Sequence, residues 1–346
     1  MKSEKSVMAA RPSVRRRIVG NAVVKAVSTA ALALAAMWGD AAHAGGPLQE
    51  MTYLLPAPQS EIAFAPLMIA QYKHYYADEG LSVRFVTVQG GAEVGKQLAS
   101  GNGDLGGGLG DTPIVLRQNG IPVKAVALFG GQALHQFVTR ADENITGPAA
   151  LKGKTVTVMS YQDTSFYATL AVLAKGSLTR QDVSVQAAGP SGIWQLLAQG
   201  RADAMVGTPD WAASAEAAGA KLTWHSTDAY FPGMAQAVLA SDRTIATRPD
   251  LVRKFVRASL KAMAEIERDP AAAAKDYAAA VPSWQARQPF VTRVLVYYAQ
   301  HVYPGQSRIG AFDPVRVEKL QDFYLAQKII RTRVDAKDLF TNEFVE

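Results

Sequence analysis

Leu98-Ala99-Ser100-Gly101-Asn102-Gly103-Asp104 recurs, 99 residues further along the chain, as Leu197-Ala198-Gln199-Gly200-Arg201-Ala202-Asp203. Without a gap the first copy continues to Gly108 and Asp111, the second to Gly207 and Asp210. Each copy reads as a helix, a glycine stop, a short strand, and then an Asp placed to cap the next helix. Two matching α-β-α units in one chain predict two lobes of similar build. Open α/β sheets bind ligands beyond the carboxyl ends of their strands, where loops run into helix N-termini. Two such lobes facing each other enclose a cleft. The repeat therefore places Gly110-Asp111-Thr112 on one wall and Thr208-Pro209-Asp210-Trp211 on the other. Unpaired N–H groups and the dipole at those helix starts suit an anionic or strongly polar solute. Asp111 and Asp210 read equally well as plain caps.

Outward from the repeat, short β-branched runs alternate with helical stretches. Met51–Leu55, Val83–Val88, Val123–Leu128, Thr155–Met159, Val183–Ala187 and Ala235–Leu239 are the strand candidates. Gly80, Gly101, Gly176, Gly200 and Gly219 stand near the ends of the intervening helices. This alternation predicts an α/β protein with largely parallel sheets. The last hundred residues read as helical. Arg248–Arg268 is amphipathic, with Val252, Phe255, Val256, Leu260 and Met263 on one face and Lys254, Arg257 and Lys261 opposite; Thr247-x-x-Asp250 is a capping-box signature at its start. Helices are also expected at Ala271–Ala280, Pro289–Gln300 and Pro314–Gln327, their aromatics packing in the core.

The first 44 residues read as a cleavable export signal: Arg11 and Arg15-Arg16-Arg17, an apolar run of 13 residues from Ala26 to Trp38, and Ala42-His43-Ala44 as the cleavage site. Thirteen residues fall short of the roughly 20 that span a bilayer. Arg15-Arg16-Arg17-Ile18-Val19 also loosely matches a twin-arginine signal, so the export route stays open. The leader holds seven basic and two acidic residues, so the net charge of +6 becomes +1 once it is removed. That near-neutral balance argues against nucleic acid as a partner. The chain has no cysteine, hence no disulfide, thiol nucleophile, thiolate metal site or lipidated cysteine.

No catalytic or metal-binding constellation stands out: His74, His135, His225 and His301 are scattered, and no H-E-x-x-H or G-x-S-x-G occurs. Gly101-Asn102-Gly103-Asp104-Leu105-Gly106 has the spacing of a dinucleotide fingerprint but follows a helix and precedes a strand, the reverse of the required context. No cofactor is expected. His135, after the Gly130-Gly131 break, lies near the expected crossing between lobes and is a candidate ligand contact.

Several stretches together resemble the thiamine-pyrimidine-synthase-like group of solute-binding proteins, which includes the alkanesulfonate-, taurine- and nitrate-binding components of ABC importers. They are Ala65-Pro66-Leu67 with Ala70, Tyr76-Ala77-Asp78-Glu79-Gly80-Leu81, Gly90-Gly91, the two repeat copies, Leu151-Lys152-Gly153-Lys154, the Tyr161–Ser165 turn, and Thr341-Asn342-Glu343-Phe344. The resemblance implies a type 2 periplasmic-binding fold with a two-crossover hinge. Lobe one would run from 48 to 136 and from 235 to 346, with its C-terminal helices, and lobe two from 137 to 234. It also implies a monomeric periplasmic protein that takes a small solute in the cleft and delivers it to an inner-membrane permease. Positions matching the family's cleft loops are Gln59, Gly91, Asp111, Thr112, Asp163, Thr164, Ser165, Asp210 and Trp211. Tyr161 or Trp211 can stack on a ring, and Thr164 and Ser165 can donate to an oxyanion. With no Lys or Arg among these positions, a sulfonate-like anion would be held by neutral donors, and an uncharged pyrimidine-like ring stands level with it. The pyrimidine-synthesis enzymes of the superfamily act through a cysteine-rich motif that this chain lacks. An enzyme of that type and a periplasmic sensor partner are the alternative readings.

Overall fold

Ten strands organise the computed structural model, which describes residues 47–345; the expected leader, residues 1–44, lies outside the described residues. In chain order the strands are β1 (Gln49–Leu55), β2 (Leu81–Thr87), β3 (Leu105–Leu109), β4 (Val123–Phe129), β5 (Gln136–Arg140), β6 (Thr155–Val158), β7 (Ser184–Ala187), β8 (Ala204–Gly207), β9 (Leu222–Ser226) and β10 (Gln236–Ser241). They form two five-stranded sheets, ordered β2-β1-β3-β10-β4 and β7-β6-β8-β5-β9. In the first, β1 runs parallel to β2 and β3, while β10 is antiparallel to both of its neighbours. The second repeats the scheme, with β6 parallel to β7 and β8, and β5 antiparallel to β8 and β9. The sheets are thus mixed rather than largely parallel. The reason is the crossing of the chain between lobes. β4 carries it out of the first sheet and β5 enters the second between β8 and β9, antiparallel to both; after β9, β10 returns to the first sheet between β3 and β4, again antiparallel to both.

Among the described residues twelve α-helices accompany the strands: α1 (Ala65–Tyr72), α2 (Tyr75–Asp78), α3 (Gly90–Ser100), α4 (Thr112–Gln118), α5 (Thr164–Lys175), α6 (Gly189–Ala198), α7 (Pro209–Ala217), α8 (Asp242–Thr247), α9 (Pro249–Arg268), α10 (Pro270–Ala280), α11 (Gln288–His301) and α12 (Pro314–Ala326). This is the expected architecture of two α/β lobes, a double crossover and a helical C-terminal region.

The two repeat copies do the same structural work. Gly101 closes α3 at φ 80° and Gly200 follows α6 at φ 69°, left-handed conformations that favour glycine. Three residues on, each Asp clamps the neighbouring strand. Asp104 Oδ2 accepts the Thr52 N–H at 2.7 Å while the Asp104 N–H donates to the Thr52 carbonyl. Asp203 treats Thr155 in the same way, also at 2.7 Å.

Helix α9 buries Phe255 between two tyrosine rings, with Tyr53 at 4.9 Å and Tyr76 at 5.0 Å, both nearly parallel to it. The expected capping box at its start is not formed. Thr247 instead ends α8 and donates its hydroxyl to the Arg243 carbonyl, and the N-cap of α9 is Arg248, without a side-chain cap. Helix α11 lies against the second sheet's elements: Tyr297 donates to Gln136 at 2.8 Å and Arg293 to the Ala213 carbonyl at 3.3 Å.

Candidate functional site

Where the strand ends of the two sheets face each other, a cavity of about 460 Å3 remains, counted out to its mouth. On the first side its wall is built by the turn after β1, with Pro56, Ala57, Glu61 and Phe64, by Gly91 in the first turn of α3, and by Leu109 at the end of β3. On the second side stand Met159 after β6, Asp163 and Thr164 at the start of α5, and Thr208 and Trp211 at the start of α7. Leu134 and His135 from one crossing and Gln236 from the other form the floor. The wall is mainly apolar with a few convergent polar groups, the usual character of a small-molecule site.

Three of those polar groups carry information about the ligand. Thr208 Oγ1 is buried and has no hydrogen-bond partner, a cost that a ligand can remove. Burial pushes the His135 imidazole down to about 3, so at neutral pH it is an uncharged donor and acceptor. Asp163 caps α5 by accepting the Ser165 N–H at 2.8 Å, yet burial still raises its carboxyl above the usual range. No Lys or Arg belongs to the wall; its charged residues are the carboxyls Glu61 and Asp163.

Glu61 joins the two lobes. It accepts the Trp211 indole N–H at 3.0 Å and lies beside Asp210, which in turn accepts the Tyr298 hydroxyl of α11 at 3.2 Å. Burial and the neighbouring Asp210 carboxyl raise Glu61 well above the ordinary carboxylic range, against the lowering effect of the indole N–H. Both effects favour the protonated form of Glu61, which can hydrogen-bond Asp210. The repeat's other Asp has an analogous tyrosine partner: Tyr324 of α12 donates to Asp111 Oδ2. Asp111 Oδ1 is buried without a partner, and burial pushes this carboxyl up to about 6. Asp111 and Thr112 line a second cavity of about 250 Å3 with Thr164 and Tyr167.

Of the residues expected in the cleft, Gly91, His135, Asp163, Thr164 and Trp211 line the main cavity, and Asp111 and Thr112 the smaller one. The others stand elsewhere. Gln59 is exposed on the turn, two residues short of Glu61, whose side chain takes the inward position. Tyr161 is 40% exposed; it donates to the Val185 carbonyl and carries Arg180 over its ring at 4.9 Å. Ser165 is fully buried, its Oγ accepting the Met159 N–H at 3.1 Å. Asp210 sits behind the wall, beside Glu61 of the wall and Tyr298 of α11. Neither repeat Asp caps its helix: Asp111 is at the N-cap of α4 without a cap bond, and Asp210 is inside α7, whose N-cap is Thr208. A proline directly follows the N-cap of α7, and tyrosine hydroxyls from distant helices take the carboxylates. Sequence reasoning missed Glu61, Phe64 and Gln236. Glu61 had one available signal: it is the only acidic residue in the turn between β1 and α1.

Residues 61–273 match the family described as NMT1/THI5 like, and the chain belongs to that family. It is 28% identical over 318 residues, 88% of each chain, to the riboflavin-binding protein RibY of Chloroflexus aurantiacus. Among solved structures, the alkanesulfonate-binding protein SsuA of Xanthomonas axonopodis pv. citri, bound to MOPS, superposes with a TM-score of 0.67 at 20% identity, covering 86% of this chain and 98% of that one. The desulfurization enzyme DszB shares the fold at a TM-score of 0.53 and 17% identity, over 86% and 97% of the two chains. Among the described residues no helix is long and apolar enough to cross a membrane.

Proposed function

We propose that this chain is the periplasmic solute-binding component of an ABC importer, which closes its two lobes, 48–136 with 235–346 and 137–234, on a small uncharged planar ring and releases it unchanged to an inner-membrane permease. The observation that carries the choice of ring over anion is the wall itself. Its acidic residues are the carboxyls Glu61 and Asp163 and it offers no cation, so a sulfonate or nitrate held there would have neutral donors alone to replace its hydration. A flat ring instead finds Trp211 and Phe64 to pack on, and its polar edge finds Thr208 Oγ1, neutral His135 and Gln236. The name of the Chloroflexus relative, a riboflavin-binding protein, supports the same class. Capture without turnover agrees with His135, which burial makes too weak a base to draw a proton at neutral pH. The leader at 1–44 would deliver the chain to the periplasm as a monomer.

Calorimetric titration with riboflavin and a hydroxymethylpyrimidine on one side, and taurine, ethanesulfonate and nitrate on the other, tests this reading. At least one ring should bind and return unaltered in mass spectrometry of the recovered ligand. Tight binding of an anion with no binding of either ring would overturn it.

A further inference from the structure

Behind the Glu61–Trp211 pair lies a second space of about 870 Å3, open to solvent, whose walls include Ser60, Trp194, Trp284 and Arg287. Glu61 and Trp211 line both this vestibule and the inner cavity, so their 3.0 Å hydrogen bond is the partition between the two. The vestibule is chemically unlike the cavity. Trp284 is fixed by its indole N–H, which donates to the Ser60 carbonyl at 2.8 Å, and it stacks parallel to Phe290 at 5.4 Å. Arg287 rests over both rings, at 5.2 Å from Trp284 and 4.6 Å from Phe290. It has no ion-pair or hydrogen-bond partner among the described residues, so its N–H groups are available to an anion.

We propose that this vestibule is an outer subsite that holds the anionic tail, a phosphate or carboxylate, of a solute whose ring occupies the inner cavity, with the Trp211 indole moving aside to let the tail through. The proposal rests on the ring reading above. It divides recognition by chemistry: the inner cavity, whose wall has no Lys or Arg, selects an uncharged ring, and Arg287 in the vestibule wall selects the tail. Arg287 sits on an exposed turn, residues Pro282–Arg287, so replacing it leaves the core untouched.

The test compares paired probes, riboflavin with riboflavin 5′-phosphate and a hydroxymethylpyrimidine with its phosphate ester, by calorimetry on the wild-type protein, Arg287→Gln and Arg287→Lys. For at least one pair the ester should bind the wild type about tenfold tighter than its parent ring, as a charge-assisted contact warrants. That ratio should collapse towards one in Arg287→Gln and return in part in Arg287→Lys. Rings that bind without any preference for the ester, or a preference that survives Arg287→Gln, would overturn the outer subsite alone. If none of the four probes binds, the ring reading fails and the subsite with it.

Discussion

Asp111 and His135 are both fully buried, and they tie stability to pH in opposite directions. Asp111 is pushed up to about 6 by burial, so between roughly pH 4 and 6 the folded state keeps a proton that the unfolded chain has released. Stability from this group is present below pH 4 and is lost as pH rises through 6, by an order-of-magnitude 3 kcal/mol for a shift of this size. Asp111→Asn should therefore unfold at a higher temperature than wild type at pH 7 and lose that advantage at pH 4, as read by calorimetric melting across the range. His135 has the reverse sign. Its imidazole is held down to about 3, so stability is present above about pH 6.5 and is lost as pH falls and the unfolded chain takes up the proton first. His135→Gln should flatten the acid limb of the same profile. Thr208 offers a different comparison, because its hydroxyl has no partner. Thr208→Val keeps the shape and removes an unsatisfied group, so its melting temperature should equal or exceed that of wild type, while affinity for the bound ring falls about tenfold. Equal affinity in wild type and variant would remove Thr208 from the site.

At the scale of elements, the repeat's Asp residues join strands rather than helices. Asp203→Ala leaves the Thr155 N–H of β6 without its 2.7 Å acceptor, and Asp104→Ala does the same to Thr52 of β1. Each should cost about 1–3 kcal/mol in urea unfolding, with the Asp104 change at the upper end because Arg248 loses its carboxylate as well. Phe255→Ala, which empties the space between Tyr53 and Tyr76, should cost about 3–5 kcal/mol. The same elements show what the sequence could reveal. The repeat announced β3 and β8 and their glycine stops, because a left-handed residue after a helix leaves a local signature. Strands β5 and β9 left none: Gln136-Phe137-Val138-Thr139-Arg140 buries Gln136 and Thr139, so it lacks the polar-apolar alternation of a half-exposed strand. Asp111 and Asp210 were legible as residues near the cleft but not in their roles. Their partners, Tyr324 and Tyr298, lie 213 and 88 residues away, and no local pattern encodes such a contact.

For the molecule as a whole, in the ligand-free protein a chain of polar contacts crosses the cleft from Trp211 through Glu61 and Asp210 to Tyr298. The groups facing the carboxyl pair are the Trp211 indole on α7, Tyr298 on α11 and Tyr277 on α10, whose hydroxyl donates to the Ser60 carbonyl at 2.9 Å. None of these is a cation. Two carboxylates enclosed together without a cation repel each other, so the closed form needs a proton on Glu61, whose carboxyl is raised by burial and by Asp210. Opening exposes Glu61 to water and lets that proton go. Closure is therefore favoured below the raised value of Glu61 and is lost as pH rises through it. Small-angle scattering of the ligand-free protein should give a radius of gyration near about 19 Å at pH 5, the size expected of a compact chain of this length. Followed in a series of rising pH, it should grow as the raised value of Glu61 is passed. In Glu61→Gln the amide can still donate to Asp210 and accept from Trp211 with no proton to lose, so the radius should stay at its low-pH value throughout. A wild-type radius independent of pH, or a variant that opens alongside it, would show that the carboxyl pair does not govern the closed state.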